Sequence, residues 1–146
     1  MTADAFTDQL NAASRDAQRI LKSFDTAGTG VRYVEEAAAG PFARKLVDGI
    51  RKARRRGWMR SCRHLPGAGP QPCWLFGWKP DRLYCTRCAG AEQLRIAGTP
   101  EDSRCDICRR QSPTLWTMRA AVGSYLVHYG ACKKCYAVET ASGWAA

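Results

Sequence analysis

A chain of 146 residues and 16.2 kDa has room for one ordinary domain or two small ones, which excludes a large multi-domain enzyme. Its apolar share of 45% includes 8 cysteines, and with 13 glycines, 7 prolines and a mean hydropathy of -0.40 the conventional core is modest, so the thiols must supply part of the stability. The formal charge of +10 is uneven: residues 1–40 hold four basic and six acidic side chains, 41–63 nine and one, and 64–146 ten and six, a concentration that attracts polyanions.

In chain order, Phe6, Leu10, Ala13, Ala17, Ile20, Leu21 and Phe24 recur at steps of three and four and predict an amphipathic helix, started by Thr2 or Asp4 and ended at Gly28. Asp4, Asp8, Arg15, Asp16 and Arg19 interrupt the apolar run an export signal would need. Uncharged stretches such as Leu65 to Trp78 and Ala120 to Cys132 are broken by Gly or Pro and shorter than the ~18 residues of a membrane span. A cytoplasmic protein without membrane contact is expected. A short helix from about Val31 to Ala39, stopped by Gly40, is predicted next, and Pro41 suits the first turn of a third helix over 41–56.

That third helix has two faces. Phe42, Ala43, Leu46, Val47, Ile50 and Ala53 share one side; Arg44, Lys45, Arg51, Lys52, Arg55 and Arg56 share the other. With Arg54, and with Arg60 and Arg63 just beyond Trp58, these cations form a candidate nucleic-acid-binding surface. The apolar stripes allow a helical hairpin, contact with a second copy or docking on another protein.

From Trp58 onward turns, aromatics and cysteines take over. Three pairs, Cys85/Cys88, Cys105/Cys108 and Cys132/Cys135, have the Cys-x-x-Cys spacing that lets both sulfurs of a tight turn reach one ion, with Cys62, His64 and Cys73 upstream. In a reducing compartment such thiols read as metal ligands rather than disulfides. Cys85 to Glu92 is echoed by Cys132 to Glu139, and each copy follows a strand-like stretch: Trp74 to Phe76 and Leu83 to Tyr84 around a Gly77/Pro80/Asp81 turn, then Thr114 to Val122 and Ser124 to Tyr129 around Gly123. The repeated order of ligand pair, hairpin, ligand pair and helix resembles the treble-clef and zinc-ribbon class of modules over roughly residues 60–140.

The expected ligand sets are Cys105, Cys108, Cys132 and Cys135 for one site, and Cys85 and Cys88 with two of Cys62, His64 and Cys73 for the other. Spacing within the repeat favours Cys62 and His64, while ligand type favours Cys73. A rival scheme joins Cys85, Cys88, Cys105 and Cys108 across a sixteen-residue gap. Zinc, two ions per chain, is the default for paired knuckles.

His128 with Cys132 and Cys135 resembles, over eight residues, the ligand motif of zinc-binding anti-sigma factors. In that family the motif is helical, whereas Tyr125, Val127 and Tyr129 alternate like a strand and Gly130 breaks the run, so His128 is expected on a strand and off the metal. No cluster combines an open metal position with a general base, so no enzyme is expected.

These readings converge on an α+β protein: a helical segment over 1–57, then a compact two-zinc module of short hairpins and helices over 58–146. The expected function is non-enzymatic binding of nucleic acid, as a small transcriptional or mobile-element regulator. The alternative is an adaptor for an acidic protein, docking through the N-terminal helices, with homo-oligomerisation through the same helices open.

Overall fold

The computed structural model describes residues 3–25, 32–34, 36–65 and 70–141. In chain order its elements are α1 (Ala3–Asp25), β1 (Arg32–Val34), a single 3-10 turn (Glu36–Ala38), α2 (Pro41–Arg55), β2 (Arg60–Ser61), β3 (Cys73–Phe76), β4 (Lys79–Tyr84) and α3 (Thr86–Ile96). A second 3-10 turn (Pro100–Ser103), β5 (Trp116–Val122), β6 (Tyr125–Ala131) and α4 (Lys133–Thr140) complete it. The architecture is mixed α+β, and no described helix is long and apolar enough to cross a membrane.

Two hairpins form the centre of one six-stranded sheet of order β1-β5-β6-β3-β4-β2. In the β5–β6 hairpin Gly123 takes a φ of 60°, a left-handed conformation open to glycine, so the predicted turn residue is the turn residue. The hairpins lie head to tail, with β3 parallel to β6 from Cys73 opposite Tyr125 to Phe76 opposite His128. Pro80 and Asp81 fall inside β4 rather than in the turn; β2 pairs only with Arg82 and Leu83, so the missing N–H of Pro80 breaks no ladder there.

Strand alternation sends Cys73, Leu75, Met118, Ala120, Val122, Val127 and Tyr129 to one face and Trp74, Phe76, Ala121 and Leu126 to the other. The first face is covered by Ala43, Leu46, Val47 and Ile50 of α2, and the second by Ala17 and Leu21 of α1 with Ala89 of α3. All four residues of β3 are buried because both sides are covered. The apolar stripes of α1 and α2 therefore meet the sheet from opposite sides and do not form a helical hairpin. Packing is continuous across the boundary drawn near residue 57.

The helix expected over 31–39 is corrected. Arg32–Val34 pairs in parallel with Met118 to Ala120 as an edge strand, and only Glu36–Ala38 winds, as a 3-10 turn. The free edge of β5 outweighs the weak helical preference of so short a run. Thr2 and Gly28, read as helix ends, lie outside the described residues.

Candidate metal centres and the basic face

The first cluster gathers Cys62, His64, Cys85 and Cys88, and the second Cys105, Cys108, Cys132 and Cys135, each with its ligand atoms within 4.8 Å of one another. The same local structure builds both. Cys62 and His64 lie in the turn after β2, as Cys105 and Cys108 lie in a turn before β5. Cys85 directly follows β4 and caps α3, while Cys132 directly follows β6 and caps α4, with φ/ψ of -67°/165° and -67°/166°. The backbone N–H of Cys85 donates to Cys62 Sγ at 3.3 Å, and that of Cys132 donates to Cys105 Sγ at 3.3 Å. Cys62 thus corresponds to Cys105, His64 to Cys108, Cys85 to Cys132 and Cys88 to Cys135.

The donor sets fit a tetrahedral cation. Metal–sulfur bonds of ~2.3 Å imply S···S edges of about 3.8 Å, and an imidazole at ~2.0 Å implies S···N edges of about 3.5 Å. Cys108 Sγ and Cys132 Sγ are 4.0 Å apart; His64 Nδ1 is 3.7 Å from Cys85 Sγ and 3.3 Å from Cys88 Sγ. His64, not Cys73, completes the first set, and the rival grouping of Cys85/Cys88 with Cys105/Cys108 is absent, since each pair belongs to a different cluster. Cys73 opens β3 inside the core, where burial pushes its thiol up to about 12.

Each cluster divides its protons. Burial pushes the Cys62 thiol up, but hydrogen bonds from the backbones of Cys85 and His64 outweigh this and bring it to about 6; its neighbour Cys88, hydrogen-bonded to the Cys85 sulfur, rises to about 11. In the second cluster a hydrogen bond from the Cys135 backbone brings Cys132 to about 7, while burial lifts Cys135 to about 12. Thiols this close cannot all ionise unless a cation replaces their protons.

Two buried glutamates stand at matching places on the cluster helices. Glu92 on α3 accepts from Trp78 Nε1 at 3.1 Å and pairs with Arg95 and Lys79; the Arg95 hydrogen bond, foremost, holds it down to about 2. Glu139 on α4, 3% exposed, accepts from the backbone N–H groups of Phe42 (3.0 Å) and Ala43 (3.2 Å) and from the Tyr129 hydroxyl at 2.8 Å. It thereby caps the N-terminus of α2. Burial, then the adjoining Glu139 carboxylate, raises the Tyr129 phenol and keeps it a donor. Sequence reasoning gave these residues no role, although both occupy the same position in the repeat.

His128 lies on β6, outside both clusters. Its ring packs edge-on to Phe76 and Trp78, and its Nδ1 accepts from Arg119 Nε at 2.8 Å. Burial, with the Arg119 guanidinium, holds the imidazole neutral down to about 3.

Arg44, Lys45, Arg51, Lys52, Arg54, Arg55, Arg56, Arg60 and Arg63 are all exposed, and none has a carboxylate within ion-pair distance among the described residues. Arg51 lies 5.6 Å over the Tyr125 ring, and Arg56 lies 5.2 Å over Trp58, which is 65% exposed. Trp74 is buried in the core, whereas Trp116 is 42% exposed and stacks on Tyr136. With this geometry in hand, no protein-family model, curated protein or solved structure matches the chain.

Proposed function

We propose a non-enzymatic protein, structured by two zinc ions in treble-clef-like units, that binds nucleic acid through α2 and the turn after β2, as a small transcriptional or mobile-element regulator. The observation that carries this is the unpaired basic face. Among the described residues none of its nine cations has a carboxylate within ion-pair distance, and Asp48 is the one acidic residue on the same helix, whereas Glu92, Glu101 and Asp106 elsewhere are each paired with arginine. Fifteen residues of α2 span roughly 22 Å at ~1.5 Å per residue, about six phosphate spacings along one strand. Thiolate-rich, tetrahedral donor sets favour zinc over hard cations, and four protein ligands leave no open position for catalytic water. The adaptor reading is left with only Phe6 and Leu10 of the α1 stripe, because Ala17 and Leu21 already cover the sheet.

The test is salt-dependent binding of DNA and RNA by the zinc-loaded chain. Affinity falls linearly on a log–log scale with salt. The quadruple variant Arg51→Glu, Lys52→Glu, Arg55→Glu and Arg56→Glu flattens that slope by at least about 3 or abolishes binding, because each phosphate contact contributes about 0.9 to it. Elemental analysis should return two zinc per chain for parent and variant alike. Unchanged binding by the variant would exclude this surface.

A further inference from the structure

α1 and α2 converge at one end of the sheet, and a cleft opens between them. Its deeper part, about 350 Å³, is walled by Phe6 and Leu10 of α1, by Met59 and Leu65 beyond α2, and by Leu83 and Tyr125 of the sheet. That volume lies in the ~300–1,000 Å³ range of small-molecule sites. A shallower part, about 390 Å³, shares Phe6, Leu10, Arg54 and Tyr125 and adds Arg51 and Arg55. Among the described residues no carboxylate lines either part.

Three features define what fits. The walls are apolar, with the partly exposed Phe6 ring on one side. Gln71 lines the deeper part, and its amide nitrogen, closed off from solvent, has no hydrogen-bond partner among the described residues, so it is a donor that a ligand satisfies once the side chain turns into the cleft. The mouth belongs to Arg51, Arg54 and Arg55, three cations of the basic face. The complementary ligand has a flat apolar body carrying acceptors and is joined to a negative charge.

We infer that this cleft receives one unstacked nucleobase of the strand whose phosphates α2 holds, an inference that rests on the nucleic-acid reading. Phosphate contacts position a protein and read no bases. The cleft is therefore where a preference for single-stranded or extruded bases arises, by stacking and by the Gln71 amide meeting a base carbonyl or ring nitrogen.

The experiment uses the zinc-loaded full chain with a short single-stranded DNA of mixed sequence, and with the same strand carrying one abasic site at each position in turn. One abasic position is expected to weaken binding about ten-fold, the scale of a single stacked base. In Gln71→Leu, and separately in Phe6→Ala, that dependence on position should collapse while the salt slope and zinc content stay those of the parent. Two variants on different elements guard against a local folding defect. If every abasic strand binds like the intact one and the salt slope persists, the cleft inference fails and the basic track stands; this is also the result expected were the cleft to hold an apolar side chain of an acidic protein. If no strand binds at low salt, the basic track fails and the base-binding cleft with it.

Discussion

Glu139 shows how one side chain joins distant parts of the chain. Its carboxylate serves two backbone donors at the start of α2 and one phenol of β6, and α4 approaches so closely that a Cβ at Gly40 would overlap the carboxylate and the Glu139 backbone. Glu139→Ala would strand three buried donors and is expected to cost about 3 kcal/mol, read as a lower urea midpoint of the zinc-loaded protein. The reading of Gly40 as a helix stop fell with the 31–39 helix, since it stands at the N-cap of α2, and its close approach to α4 was not legible because that neighbour lies almost a hundred residues away in sequence. His128 supplies a second test. Its folded pKa, about 3, lies below the unfolded value near 6.5, so its stabilising contribution is complete above that unfolded value and is lost as pH falls from there toward 3. Its ring resonances should stay flat from pH 8 to 5, with the proton on Nε2 because Nδ1 accepts from Arg119; a midpoint near 6.5 would refute that environment.

The elements that carry the ligands were readable because a knuckle is a local structure. Cys-x-x-Cys spacing, a hairpin and a helix announced both units, and the 41–56 prediction became α2 almost to the residue. The choice between His64 and Cys73 was not readable, since it depends on where β3 begins: Cys73 is its first residue and turns into the core. Likewise, two apolar stripes do not say which surface they will cover. In the folded protein α2 is fastened at its N-terminus by α4, the helix that starts at Cys132 of the second cluster. Loss of that cluster should therefore loosen α2 from its first turn. Cys108→Ser is expected to accelerate hydrogen exchange at Ala43 to Val47 more than at Lys52 to Arg55, while Cys88→Ser leaves the first turn of α2 protected. Equal effects of the two substitutions would refute the coupling.

At the scale of the whole molecule, the parallel pairing of β6 with β3 makes one sheet of two units that each carry a candidate metal cluster, and each sheet face is closed by a helix from the N-terminal side of β2. Residues 58–141 alone would expose Leu75, Val127 and Tyr129 on one side and Trp74, Phe76 and Leu126 on the other. With zinc present this fragment is expected to self-associate or stay partly unfolded, and light scattering against the full chain checks it. A monomeric fragment with a cooperative unfolding transition would show that the metal units need neither helix. The division of the sequence at residue 57 followed a real change of texture, from periodic helix to cysteine-rich turns, but composition does not report which surfaces a helix is built to cover.

The short strands at the two ends of the sheet have a consequence for how copies of the chain behave in company. A hairpin edge left bare, such as that of β5 from Trp116 to Val122, is a template on which another chain can add a strand. Here β1, three residues long, covers part of β5, and β2, two residues long, covers part of β4. Each is too brief to offer a long ladder of its own, and β2 is immediately followed by the turn that carries Cys62 and His64. Edge-to-edge growth is thus opposed at both ends, and at the β4 end the guard strand adjoins the residues of the first candidate metal cluster.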